Sequence, residues 1–293
     1  MSGLELARWA LYVDLGVLFG LPTAIILLRS EASPDFARRP LLVLAIISFP
    51  LSIAGFLILV AEMAGVEISG LEPDLIFELL TGSALGWATL ARLIALAAVL
   101  VLLVRRQANL RWLSLATAIA LGSLAWSGHA ASSEGWRSAM RLSLDIAHLL
   151  AASIWIGALA LFLAMLFRGA RTASHTVAAL TRFAGIGSMM MGILLATGIA
   201  NLLFIASPDQ WPGMLSFPYG RLFLLKLCAF LGMLALAGVN RFVLVPKLQG
   251  QDGVAANATA RRNLKLSIVL ETGLGLGVLL LVATLGLLDP SGS

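Results

Sequence analysis

Eight apolar runs, each about the length of a membrane crossing, divide this chain from one end to the other. They fall at roughly 6–28, 41–64, 84–104, 111–130, 139–167, 183–206, 220–244 and 264–287. A helix crosses the hydrocarbon core of a bilayer with about 20 mainly apolar residues. Only helices and closed barrels satisfy their own backbone polar groups in lipid, and barrel strands alternate in polarity. These runs are continuous and end at charged or Pro/Gly-rich breaks. The expected fold is therefore all-α: a polytopic membrane helix bundle of eight transmembrane helices, with residues 1–293 as a single integral membrane domain. Composition agrees, since 60% of residues are hydrophobic and 12% charged. A soluble domain would be about half apolar and about a quarter charged. The N-terminal MSGLELARW enters the first run without a cleavage site, so that run is expected to remain as a span.

The net charge is +5. In a soluble protein this would suggest nucleic acid, but here the basic residues sit in short loops and act as topology signals. No nucleic-acid partner is expected, and the chain is surrounded by membrane lipids. Arg29, Arg38 and Arg39 lie in the first loop, Arg105, Arg106 and Arg111 in the third, and Arg168, Arg171 and Arg182 in the fifth. Arg241, Lys247, Arg261, Arg262 and Lys265 belong to the seventh, so alternate loops hold 14 of the 20 basic residues. The second loop is acidic, with Glu67, Glu72, Asp74 and Glu78. The positive-inside rule then places both termini in the periplasm and makes the chain a multi-pass inner-membrane protein. Gly16/Gly20, Gly82/Gly86 and Gly273/Gly277 are small-xxx-small pairs that let helices approach. Pro22 and Pro50 lie inside spans and predict kinks or cavity walls.

The chemistry concentrates in WSGHAASSEGWRSAMRLSLDIAHLLAASIWIG, from Trp126 to Gly157. Ionisable groups at membrane depth are costly and therefore functional candidates. Arg141, Asp145, His148 and Trp155 share one face of the fifth span. His129 ends the fourth span, and a short turn makes the two spans antiparallel neighbours, so His129 and His148 could converge near the outer side. Imidazole is a good ligand for copper, zinc or haem iron, and a carboxylate such as Asp145 can orient it or join it. The structural alternative is an i,i+4 ion pair between Arg141 and Asp145 beside a hydrogen-bonded His148. Met190, Thr197 and Asn201 form a stripe on the sixth span, a polar and thioether path or simply packing. Asp14, Glu62, Arg92 and Lys226 fall in the outer halves of their spans and suggest a polar vestibule, with structural ion pairing as the alternative. Glu271 lies in the inner half of the last span, on an exit or proton path.

His175 is expected in a solvated basic loop, and Cys228 to be a small buried residue opposite Lys226. With one cysteine the chain has no internal disulfide and no Cys-rich metal centre. There is no GxxxxGK[ST] phosphate loop and no HExxH, so neither an ATP-driven pump nor a zinc protease is expected, and no enzyme activity.

SGHAA followed by DIAHLLAASIWIGALALF resembles the central motif of the CopD/PcoD copper-resistance membrane proteins. RFAGIGSMMMGILLATGIANLLF and YGRLFLLKLCAFLGMLALAGVNRFVLVPKL follow in the same order, giving a CopD-like core at about 120–250. The resemblance implies copper handling at the inner membrane, as uptake toward the cytoplasm alongside a periplasmic CopC-like copper-binding protein. His129 and His148 match the family's histidine positions, and Lys226 and Asn240 its polar positions in the seventh span. The reading this supports is a copper ion held by His129, His148 and Asp145. It would pass inward along Met190, Asn201, Lys226, Arg92, Asp14 and Trp155. Two other readings remain: a b-type haem redox protein with axial histidines, and a membrane factor that delivers copper for oxidase assembly.

Overall fold

The computed structural model describes residues 2–29, 34–105, 109–127, 135–167, 173–205, 211–249 and 254–288. Among these residues every regular element is a helix. In chain order they are α1 (Gly3–Leu27), α2 (Pro34–Ala64), α3 (Pro73–Gly82), α4 (Ala84–Val104), α5 (Leu110–Gly122), α6 (Trp136–Phe167), α7 (Ala173–Ile205), α8 (Trp211–Met214), α9 (Pro218–Val239), α10 (Val245–Gln249) and α11 (Val254–Leu285). A short 3-10 turn at Ile68–Gly70 follows α2 after a break, another at Ser123–Ser127 extends α5, and a π-helical turn at Asn240–Leu244 fuses α9 to α10.

Seven of these helices are long and apolar enough to cross a membrane. The fourth expected span is shorter: Leu110–Trp126 is an apolar helix below that length. Ser123 tightens its last turn by donating to the Ala120 carbonyl at 2.7 Å. The acidic second loop contains a helix of its own, α3, with Pro73 in its first turn, where a missing N–H costs nothing. Several helices extend past the apolar runs: α7 begins at Ala173 and α11 at Val254.

The two ends of the bundle are distinguished by their contacts. At one end Arg38 of α2 donates to the Leu103 carbonyl of α4, and Arg182 of α7 donates to the Leu28 and Arg29 carbonyls that close α1. These arginines satisfy carbonyls that a helix C-terminus leaves without partners. At the other end Arg8 of α1 caps the Gly286 carbonyl, and Trp9 donates to the Leu276 carbonyl of α11. The two ends are called here the basic end and the terminal end.

Helix α6 organises the packing, touching α1, α5, α7 and α11. Its crossing with α1 is set by glycine. A Cβ on Gly20 would strike the Ser153 carbonyl, and one on Gly157 would strike the backbone of Gly20. Gly16 faces the Ser153 hydroxyl one turn away. Gly16/Gly20 thus acts as a close-packing pair, with Ser153/Gly157 as its counterpart. The other pairs do not. Gly273 and Gly277 face open space, and Gly86 makes room for the backbone of Leu79 and Leu80 in its own connection. Pro22 and Pro50 both lie within continuous helices.

Candidate functional site

The site builds up from the seam between α6 and α7. Residues 190, 194, 197 and 201 are three or four apart, so Met190, Leu194, Thr197 and Asn201 turn one face of α7 toward the bundle. Asp145 and His148, three apart on α6, meet that face. The His148 Nδ1 lies 2.8 Å from Thr197 Oγ1. That hydroxyl already gives its proton to the Ile193 carbonyl at 2.6 Å. A hydroxyl has one proton, so its oxygen accepts from His148, and the imidazole proton sits on Nδ1. The lone pair of Nε2 is then free for a ligand, which is how a second hydrogen bond sets a metal-binding histidine. Gly198 borders the ring, and a Cβ there would make ordinary van der Waals contact with His148 Cε1, at 3.7 Å.

One turn nearer the terminal end, Asn201 Nδ2 donates to Asp145 Oδ1 at 2.7 Å. The carboxylate is therefore held across the seam, and the i,i+4 ion pair with Arg141 is not its hydrogen-bonded arrangement. The Asn201 Oδ1 is buried without a hydrogen-bond partner among the described residues. Lys226 of α9 acts electrostatically on both Asp145 and His148, with its Nζ 6.0 Å from the centre of the Phe223 ring.

The remaining expected residues divide into other groups. Trp155 lies two turns deeper than His148 and donates from Nε1 to Glu271 Oε1 at 2.9 Å. It belongs to an inner cluster with Asn240, not to the histidine. Asp14 is buried and accepts from Ser48 of α2. Arg92 is buried and donates from Nε to Ser123 Oγ at 2.8 Å rather than to a carboxylate. Both are thus bonded on the α2–α4 side of α1, where Tyr12 and Arg92 line one small cavity. Met190 is packed in the core, while Met191 lines a cavity. Glu62 is exposed near the end of α2.

His129 lies outside the described residues, as does part of the loop before α9. His175 is in the first turn of α7, not in a loop. Cys228 is exposed on α9 rather than buried. Its position opposite Lys226 puts it on the outer face, together with Leu224, Leu227 and Leu231. Among the described residues no three of His, Cys, Asp and Glu cluster to hold a metal ion. The seam offers one imidazole nitrogen and one carboxylate: a sparse donor set, suited to a cation held briefly.

Sequence reasoning missed Thr197 and Asn201 as the partners of His148 and Asp145. Their signal was their shared stripe on α7, which gives the face but not what it meets.

Two family models match the chain. Residues 1–140 match the copper resistance protein D-like N-terminal domain, and residues 177–285 match copper resistance protein D. The copper resistance protein D of Pseudomonas syringae pv. tomato is 37% identical over 97% of this chain and 95% of its own length. The inner membrane protein YebZ of Escherichia coli (strain K12) is 30% identical over 67% of this chain and 66% of its own. The copper transport protein CutJ of Bacillus subtilis (strain 168) is 28% identical over 50% of this chain and 26% of its own. No solved structure matches the chain.

Proposed function

The chain belongs to the copper resistance protein D family, and from that premise we propose that it carries copper ions across the bacterial inner membrane, from periplasm to cytoplasm. The observation that carries this reading is the contact of His148 Nδ1 with Thr197 Oγ1, which leaves Nε2 for a ligand, one turn from the Asp145 carboxylate held by Asn201. Imidazole and carboxylate together form a donor set for copper in either oxidation state. His129 would complete the site, since the 3-10 turn preceding it packs on α6. A periplasmic CopC-like protein is the proposed copper donor. The relatives are named for copper resistance and copper transport, and not as enzymes.

The proposed topology has eight spans. Helix α5 and its 3-10 extension, Leu110–Ser127, measure about 30 Å at the rises of the two helix types. That is about the thickness of a hydrocarbon core. With the basic end cytoplasmic, both termini are periplasmic, and copper would enter at the Asp145–His148 level and leave past Trp155.

Directional flux tests this. Proteoliposomes are made in which Ser2→Cys, in a Cys228→Ala background, reacts with an impermeant thiol reagent added outside. These are expected to accumulate copper. Vesicles in which that cysteine is shielded are expected to release preloaded copper instead. Accumulation independent of orientation, or none in either, contradicts the reading.

A further inference from the structure

A second buried polar cluster lies away from the histidine. A cavity of about 190 Å³ lies between α6, α7, the π-helical turn and α11, toward the basic end. Trp155, Met191, Asn240, Arg241 and Glu271 line it among apolar side chains. Glu271 is only 2% exposed. Its Oε1 accepts from the Trp155 indole at 2.9 Å and its Oε2 from Asn240 Nδ2 at 3.1 Å. Both donors are neutral. Asn240 is 6% exposed, and its Oδ1 is buried with no hydrogen-bond partner among the described residues.

A cation partner for the carboxylate is absent among the described residues facing it. The other charged group on the cavity, Arg241, is engaged with the Ala184 carbonyl at 3.2 Å and Ser188 Oγ at 2.9 Å. From α6 the facing group is Trp155, while Asp145 and His148 are about three and two turns away along that helix. On α1, Asp14 is turned to Ser48, and Arg8 and Tyr12 lie nearer the terminal end. On α9, Lys226 acts on Asp145. Lys247 of α10 is exposed. On α11 itself, Lys265 lies 3.6 Å from the centre of the Phe167 ring.

A carboxylate buried among apolar groups without a counter-charge is costly. Asn240 offers a way to relieve it. An amide can present either its N–H or its oxygen in the same place by turning over. In the observed state Nδ2–H donates to the carboxylate. With a proton on Oε2, the new O–H can donate to Oδ1 once the amide has turned. The Trp155 bond to Oε1 is kept in both states. Asn240 is also the first residue of the π-helical turn, an irregularity that tends to occur at functional sites.

We propose that Glu271 is a proton-exchange site, with Asn240 as the amide that follows its protonation and Trp155 as its fixed anchor. A hydronium ion reaching the cavity breaks one of its O–H bonds as Oε2 takes the proton, leaving neutral water. When a cation arrives to neutralise the carboxylate, the Oε2–H bond breaks and the proton passes back to water as hydronium. Coupling of this exchange to copper rests on the transport reading above. The exchange itself does not.

The test has two parts. Infrared difference spectra of the full-length protein in lipid nanodiscs, without copper, are followed as pH is lowered. The wild type is expected to show a carboxylic C=O band that Glu271→Gln lacks. Asn240→Ala and Trp155→Phe are expected to keep this band at a shifted frequency. Identical bands in the wild type and Glu271→Gln overturn the proposal, and so does a band that follows sodium rather than pH. In proteoliposomes with a trapped pH dye, copper entry through the wild type is expected to change the internal pH. Glu271→Gln is expected to reduce that change at least about tenfold. An unaltered pH change in the variant overturns the coupling. Should the wild type move no copper, the transport reading falls and the infrared band alone decides Glu271.

Discussion

Replacing His148 with alanine is expected to cut copper uptake by about 100-fold while leaving the protein in the membrane at normal abundance. The magnitude follows from metal sites in general, where loss of a supporting hydrogen bond alone costs about 10- to 100-fold. Removing the ligand should cost at least as much. Folding should survive, because the imidazole's one hydrogen bond inside the bundle goes to Thr197, and a single such bond contributes about 1 kcal/mol. Thr197 also keeps its own bond to the Ile193 carbonyl in the variant. Uptake in cells measured alongside membrane abundance separates the two effects. Undiminished uptake at normal abundance would remove His148 from the path.

Gly157→Leu is expected to have the largest effect on folding. Overpacking a core usually costs about 1–3 kcal/mol, because side chains can shift. At Gly157 the obstacle is the backbone of Gly20, which cannot rotate away. The α1–α6 crossing would have to open, and with it the contacts of the helix that organises the bundle. Native stability is only about 5–15 kcal/mol, so little folded protein should remain. Gly273→Ala and Gly277→Ala are the controls, since both positions face open space. Their effect should stay within about 0.5 kcal/mol. Thermal unfolding in detergent and membrane abundance report both. A stable Gly157→Leu protein would mean that the two helices do not cross where the structure places them.

The membrane spans were legible because hydrophobicity alone marks them. Span 84–104 coincides with α4 to the residue. Helix ends were less legible, because a helix continues into polar sequence once its apolar turns have nucleated it. That is why α7 starts at Ala173 although its apolar run starts near 183. Helix α3 was hidden by its acidic residues, although Pro73 and the apolar positions of PDLIFELL carry its signature. Periodicity also joined Asp145 to His148 correctly, since neighbours three apart on α6 share a face. It grouped Trp155 with them as well, because seven residues return to the same face. Depth then separates them: the indole reaches Glu271, which no local pattern ties to it. Periodicity assigns a residue to a face but not the helix opposite, so Thr197, Asn201 and Asn240 could be singled out without their partners. The run Met189–Met191 shows the same limit. Its three residues have three surroundings: Met189 is exposed, Met190 is in the core and Met191 lines the inner cavity.

The central claim is that His148 binds copper through Nε2 while Thr197 holds Nδ1. X-ray absorption of the copper-loaded, purified protein tests it most directly, paired with competition binding. The wild-type spectrum should show imidazole scattering that His148→Ala reduces by the share of one ring. Thr197→Val should keep that scattering but bind copper about 10- to 100-fold more weakly, as expected when the bond orienting a ligand is removed. An imidazole signal unchanged in His148→Ala would contradict the account.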